Sequence, residues 1–156
     1  MTLNPKAIPL SLYVHWPWCV RKCPYCDFNS HASGTVPETR YVEALLQELE
    51  REAHLAGGRE IRTIYFGGGT PSLMSAEGFT ALLDGIRRRV CVASDAEISM
   101  EANPGTADEE KFEAYAEAGV NRLSLGIQSF DDASLKRLGR IHDRAAAVRA
   151  LEKAVR

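Results

Sequence analysis

The sequence predicts an α/β fold in which four strand–helix units form a parallel sheet. Runs of strand-forming residues alternate along the chain with stretches whose apolar residues recur at helical spacing. The connections between them are short, which favours right-handed crossovers and therefore parallel, buried strands. The 156 residues are 45% hydrophobic and 26% charged, a composition typical of one globular domain with a sizeable core.

Four runs of strand-forming residues supply the predicted sheet. In chain order they cover residues 10–16, 61–66, 96–100 and 122–127. The first is followed at once by a cysteine-containing loop that ends in turn-forming residues, and the second by a Gly-rich loop.

A helix is predicted after each of the first three strands. Helix one covers residues 38–55 and ends at Gly57-Gly58, where a left-handed cap costs little. Ser75 is the predicted N-cap of helix two. Helix three opens with a capping-box pattern at residues 106–109 and ends at Gly119.

Two further helical segments follow the fourth strand. A short one is centred on Leu135 and Leu138, and a longer one begins near Asp143. The longer segment is predicted to face the core with its larger apolar residues, Val148, Leu151 and Val155.

The parallel arrangement predicts where a functional site lies. All strands of a parallel sheet end at the same edge, and ligand sites gather there in both barrels and open sheets. Four polar clusters follow the four strands: the cysteine loop, the Gly-rich loop at 67–71, residues 101–105, and Gln128-Ser129. The sequence therefore predicts one site that these four clusters build together.

The spacing C-x3-C-x2-C at Cys19, Cys23 and Cys26 indicates an iron–sulfur cluster. Three cysteines for four irons leave one iron open to a small molecule. Two alternatives stay open: the C-P-Y-C sequence at residues 23–26 matches a thiol redox motif, and His15, His31 or Cys91 would complete a zinc site. Outside the site, Cys91 is predicted to be a small buried apolar residue.

The other clusters have weaker signals, each with a structural alternative. The Gly-rich loop lacks the Gly-Lys-Ser/Thr ending of a phosphate loop, but its glycines allow backbone to approach a ligand, or simply form a tight turn. Glu101 would accept hydroxyl donors such as those of a ribose, or be a solvated strand end. Gln128 and Arg140 would hold a metabolite's amide or carboxylate, or be solvated.

Charge and hydropathy restrict the partners and the location. The formal net charge is −2 and no run of Lys or Arg is long enough to follow a phosphate backbone, so no nucleic acid partner is predicted. The apolar stretch at residues 7–20 is too short to span a membrane and contains Pro9 and Pro17. Without a membrane span or export signal, the prediction is a reducing, cytoplasmic location.

Four motifs taken together resemble a known family. They are Tyr13-Val-His-Trp-Pro-Trp-Cys19-x3-Cys23-Pro-Tyr-Cys26-Asp-Phe, Gly67-Gly-Gly-Thr-Pro-Ser72, Glu101-Ala-Asn-Pro-Gly105 and Leu125-Gly-Ile-Gln128-Ser-Phe130. Taken in this order, the four motifs resemble those of the radical S-adenosylmethionine (SAM) family that contains oxygen-independent coproporphyrinogen III oxidase. The resemblance implies a partial TIM-type barrel, with residues 1–156 forming the N-terminal part of the core domain and further strands and a C-terminal domain missing.

The resemblance also implies roles for individual residues. Cys19, Cys23 and Cys26 would ligate a [4Fe-4S] cluster, whose open iron SAM would chelate. Tyr13 and Tyr25 would flank the cluster and the adenosyl group. The methionine part of SAM would lie along Gly68, Gly69 and Thr70, Glu101 would contact SAM, and a second SAM-like position would be served by Gln128 and Arg140.

One departure favours the heme chaperone branch of this family. The resemblance implies the pattern C-x3-C-x2-C-x-C for the oxidases, whereas this chain has Phe28 at the position of the last cysteine. The implied function is to bind heme as cargo and pass it to a heme acceptor protein, with an electron donor for the cluster. Oxidative decarboxylation of coproporphyrinogen III is the alternative, and no residue is assigned a catalytic role.

Overall fold

The computed structural model describes residues 4, 7–105 and 109–155. It confirms the α/β prediction. The elements in chain order are β1 (Leu10–Trp16), β2 (Trp18–Cys19), β3 (His31–Ala32), α1 (Glu38–Glu52), β4 (Ile61–Gly68), α2 (Ala76–Arg87), β5 (Val92–Ala102), α3 (Glu109–Ala118), β6 (Arg122–Leu125), α4 (Asp132–Arg137) and α5 (Arg144–Ala154). Short 3-10 turns lie at Ala53–Ala56 and Pro71–Leu73.

The main sheet is parallel throughout, in the order β1-β4-β5-β6. Its register aligns Trp16 with Gly68, Phe66 with Met100, and Ala102 with Leu125. The carboxyl ends of all four strands therefore lie at one edge, as the sequence predicts.

The core lies between the sheet and the layer of helices. Phe66 of β4, Phe79 of α2 and Tyr115 of α3 are fully buried, with ring centroids 4.8 Å apart for the first pair and 5.5 Å for the second. Aromatic pairs at such distances add to the free energy gained from burying their area. This packing fixes α2 and α3 against β4 and so holds the loop that joins β4 to α2.

The opposite face of the sheet is polar, so the prediction of fully buried strands is wrong. Ser11 of β1 accepts a hydrogen bond of 2.7 Å from Thr63 of β4, and Arg122 of β6 lies 3.6 Å from the Glu97 carboxylate of β5. Burial alternates along β1, because the described helices cover one face and leave polar side chains on the other.

Most helix ends match their sequence signals. Ser75 caps α2 by accepting from the Gly78 amide at 2.9 Å, as predicted, and Asp143 caps α5 in the same way. The first helix is shorter than predicted, since its last turn tightens into a 3-10 turn before left-handed Gly57. The predicted capping box at residues 106–109 lies largely outside the described residues.

The predicted inward face of α5 is wrong. Ala147 and Ala150 are its buried residues, whereas Val148 and Leu151 are more than a third exposed and Val155 is 86% exposed. The helix contacts α3, and the residues that it buries are small alanines rather than its larger apolar residues.

No helix within the described residues is long and apolar enough to cross a membrane.

Candidate cofactor site

The loops at the carboxyl edge of the sheet enclose a cavity of about 270 Å³. It is built from the loops after β1, β4, β5 and β6, as the parallel arrangement predicts. Ten residues predicted for the site line it: Cys19, Cys23, Tyr25, Cys26, Gly68, Gly69, Thr70, Glu101, Gln128 and Arg140.

The cysteine loop is closed at its base by a small parallel ladder. Trp18 pairs with His31 and Cys19 with Ala32, so β2 and β3 join the beginning and end of the loop. The Lys22 ammonium crosses its middle and donates to the carbonyls of Phe28 at 3.1 Å and Ser30 at 3.3 Å. Two-residue strands are too short for any periodicity, which is why the sequence does not predict them.

The three site thiols are free and differ in burial. Cys19 is buried, whereas Cys23 and Cys26 are partly exposed, and the amide of Cys26 donates to the carbonyl of Cys23 at 3.1 Å in a tight turn. The loop continues as turns and bends, so the helix that a thiol redox motif needs after its first cysteine is not formed there.

The zinc alternative lacks a converging set of ligands. Across the described part of the chain, no three His, Cys, Asp or Glu side chains form a group that could hold one metal ion. Cys91 lies at the opposite edge, before β5, and its thiol is exposed beside Glu60, so the prediction that it is buried is wrong. All three site thiols line one cavity, and three thiolates are the ligand set of an iron–sulfur cluster with one open iron.

The Gly-rich loop lies directly on the cysteine loop. Gly69 donates to the Trp16 carbonyl at 2.6 Å and Thr70 to the Trp18 carbonyl at 2.8 Å. A Cβ on Gly69 would lie 2.6 Å from the Trp18 carbonyl oxygen, and Gly68 has a φ of 116°. Glycine is therefore required here so that the two loops can meet, in addition to any ligand they hold.

Glu101 is held in the cavity wall by two donors. The Tyr65 hydroxyl donates to one carboxylate oxygen at 2.8 Å and the Gly68 amide to the other at 3.1 Å. Burial raises the pKa of Tyr65, and its bond to Glu101 raises that pKa further. Each carboxylate oxygen keeps a lone pair for a ligand hydroxyl. Tyr65 was not predicted, although it lies on the same sheet face as Glu101.

Arg140 joins three of the four loops. Its guanidinium donates to the sulfur of Cys23 at 3.2 Å, the hydroxyl of Tyr25 at 3.4 Å and the carbonyl of Gly126 at 2.6 Å. It also donates to Asn103, whose own amide donates to Thr70 at 3.3 Å. The solvated alternative for Arg140 is therefore wrong, and Asn103 is a site residue to which the sequence analysis gave no role.

Gln128 has a left-handed backbone. Its φ of 68° is the one positive value among the non-glycine residues described. Such a conformation is strained for residues other than glycine and is concentrated at functional sites. It follows the early end of β6 at Leu125 and places Gln128 in the cavity wall.

Tyr13 is the predicted site residue that the structure does not bring to the cavity. It lies in the middle of β1, is 57% exposed, and stacks on Tyr65 with ring centroids 6.3 Å apart. Its hydroxyl donates to His15 at 3.1 Å, and His15 in turn donates to the Asn29 carbonyl at 2.9 Å. Tyr13 thus supports the cysteine loop through His15, and its contact with a cofactor stays a prediction.

His142 is a third residue, after Tyr65 and Asn103, that the sequence alone did not predict. It is 6% exposed, and its Nε2 donates to the Ile127 carbonyl at 3.1 Å, just before Gln128. Burial lowers its pKa and so favours the neutral ring. No pattern in the sequence distinguishes this lone histidine, two residues after Arg140, from an ordinary surface histidine.

A family model describing the radical SAM superfamily matches residues 13–156 of the chain. Two bacterial relatives are called heme chaperone HemW. That of Escherichia coli K12 is 57% identical over 96% of this chain and 40% of its own length. That of Haemophilus influenzae Rd is 50% identical over the same shares. The chain thus spans about 40% of the length of these curated relatives.

A solved structure has the same arrangement of elements. It is coproporphyrinogen III oxidase (HemN) from Escherichia coli, described as a radical SAM enzyme, with a TM-score of 0.87 and 31% identity. The similarity covers 96% of this chain and 35% of that one.

Proposed function

Because the chain belongs to the radical SAM superfamily, we propose that Cys19, Cys23 and Cys26 bind a [4Fe-4S] cluster and that SAM binds beside it. One observation carries the proposal: three thiols form one wall of a cavity, and polar groups from the three following strand ends form the others. A site with three protein ligands keeps a position open for a small molecule. The bound cluster would supply one electron to SAM.

The remaining walls suit the polar parts of SAM. Glu101, fixed by Tyr65 and the Gly68 amide, would accept the ribose hydroxyls. Gly68, Gly69 and Thr70 form the wall proposed for the methionine part. Gln128 and Arg140 also line the cavity and supply an amide and a guanidinium, which suit a second SAM or another ligand with a carboxylate.

The proposed cargo is heme, which the protein would transfer to an acceptor protein. Two relatives with this function in their names are 57% and 50% identical to the chain. Around the cavity mouth, four exposed apolar or aromatic side chains form a rim that suits a flat, apolar macrocycle: Val20, Tyr25, Phe28 and Ile141. Arg21 in the same wall would pair with a heme carboxylate. The proposed location is the cytoplasm, whose reducing conditions keep the thiols free.

The second candidate function is oxidative decarboxylation of coproporphyrinogen III. It is favoured by the fold similarity to a solved oxidase, at a TM-score of 0.87. Anaerobic incubation of the full chain with coproporphyrinogen III, SAM and a reductant separates the two. A heme chaperone would release no protoporphyrinogen, whereas product formation would favour the oxidase.

The cofactor proposal is tested by electron paramagnetic resonance. The full chain is reconstituted anaerobically with iron and sulfide, reduced, and measured with and without SAM. We expect a cluster signal that changes when SAM is added. Alanine at Cys19, Cys23 and Cys26 together should abolish it, while Cys91→Ala, far from the cavity, should leave it intact. A folded chain that binds zinc and no cluster would contradict the proposal.

A further inference from the structure

We propose that Arg140 raises the reduction potential of the cluster through the hydrogen bond that its guanidinium donates to the sulfur of Cys23. The inference rests on the proposed cluster. It gives Arg140 a role that is independent of SAM, toward a ligand of the metal centre.

The hydrogen bonds of the guanidinium hold it in this orientation. Its Nη2 donates to the Gly126 carbonyl at 2.6 Å and to the side-chain oxygen of Asn103. Nη1 lies 3.2 Å from the Cys23 sulfur and 3.4 Å from the Tyr25 hydroxyl. Because the guanidinium is planar, fixing Nη2 on the β5 and β6 loops also fixes the direction of Nη1.

The backbone of Arg140 is fixed as well. Helix α4 ends in a Schellman motif, in which the Gly139 amide donates to Lys136 at 3.1 Å and the Arg140 amide to Leu135 at 2.9 Å. A Cβ on Gly139 would lie 2.9 Å from the ring of Pro24, which directly follows Cys23. The main chain before Arg140 and the side chain of Arg140 therefore both contact the cysteine loop.

This contact favours the reduced cluster. Reduction adds one electron and neither makes nor breaks a bond, so the cluster and its sulfur ligands become more negative. A cationic N–H donor at a ligand sulfur stabilises the more negative state more strongly than the oxidised one. The expected consequence is a higher midpoint potential, which makes the cluster easier for a donor to reduce.

The test compares two variants that remove the same charge. Arg140→Gln removes the donor at Cys23, whereas Arg137→Gln removes an exposed guanidinium of α4 that contacts Ser134 at 3.2 Å. The full chain and each variant are reconstituted and titrated with dithionite in the absence of SAM, and the cluster signal is followed at each potential. We expect a more negative midpoint for Arg140→Gln and an unchanged one for Arg137→Gln.

The outcomes separate this inference from the proposed function. An unmodified chain that forms no cluster would refute the proposed function itself. A cluster in Arg140→Gln with the midpoint of Arg137→Gln would overturn the inference. If Arg140→Gln binds too little cluster, Arg140→Lys is titrated instead. Lysine lacks the planar fork that aims Nη1 at Cys23 while Nη2 binds Gly126 and Asn103, so an unshifted midpoint would again overturn it.

Discussion

Tyr115 links the hydrophobic core to the loop that follows β4. Its buried hydroxyl on α3 lies 2.6 Å from the Met74 carbonyl and 3.1 Å from the Ser72 carbonyl. Both carbonyls belong to the turn that continues the Gly-rich loop toward α2. The side chain therefore holds the turn that follows the Gly-rich loop against the core.

We expect Tyr115→Phe to lower the free energy of unfolding by about 1–3 kcal/mol, because it leaves buried carbonyl groups without their donor. Urea unfolding followed by circular dichroism measures the change. The control is Tyr13→Phe, which removes an exposed hydroxyl bonded to His15 and should change stability by less than about 0.5 kcal/mol. Equal effects for the two variants would contradict the assigned role of Tyr115.

Single residues of the site were predictable where a local rule applies. The cysteines follow β1 and Glu101 lies near the carboxyl end of β5, and parallel topology alone brings them to one edge. The bond from Arg140 to Cys23 joins residues 117 positions apart, and no spacing along the chain encodes it. Tyr13 lies outside the cavity, and its cofactor contact stays a prediction, because its motif says that it lies near the cysteines but not toward which side of the sheet it points.

At the scale of the elements, the short helix α4 connects the fourth strand to the cysteine loop. Its N-cap, Asp131, accepts from the Ser134 amide at 2.8 Å. Hydrogen bonding to the Ser134 side chain, and then to its amide, lowers the pKa of Asp131. Its C-terminal Gly139 has a φ of 69° and packs on Pro24. A helix of one and a half turns is thus positioned by its two caps rather than by its length.

We expect Gly139→Ala to lower the free energy of unfolding by about 1–2 kcal/mol from the left-handed backbone alone, with a further cost from the contact with Pro24. Iron content per reconstituted chain should fall as well, since the cysteine loop must shift. Gly34→Ala is the matched control, because its Cβ would meet no atom within 4 Å. Identical unfolding and iron content in both variants would contradict this role for Gly139.

Elements with clear periodicity were predicted well, and the exceptions have physical causes. The polar face of the sheet was not predicted, because the predicted strands include Thr63 and Glu97 without indicating toward which face their side chains point. The described helices cover only the other face. The inward face of α5 was misassigned because the larger apolar residues were taken as the core, whereas the helix buries Ala147 and Ala150.

In the whole molecule, the residues that stabilise the fold and those that line the cavity lie at different places along the strands. Core residues lie between the sheet and the helices, and the cavity lies at the carboxyl edge. Among the described residues, the loops at the amino edge form no part of the cavity, and one of them is the turn that holds exposed Cys91. A parallel α/β sheet thus leaves one edge free to vary in loop chemistry while its core stays intact.

This division predicts a one-sided pattern of hydrogen exchange. Binding stabilises a folded state by mass action, so at a SAM concentration 100 times the Kd the exchange of amides that open only in the unbound loops should slow about 100-fold. On reconstitution and addition of SAM, protection should rise in the four carboxyl-edge loops, at residues 17–30, 67–72, 101–105 and 126–130. The amino-edge loops at 57–60, 88–91 and 119–121 should keep their rates, because they are remote from the cavity. The variant with alanine at all three site cysteines is the control, and equal protection at both edges would mean that the cofactors stabilise the domain globally rather than through these loops.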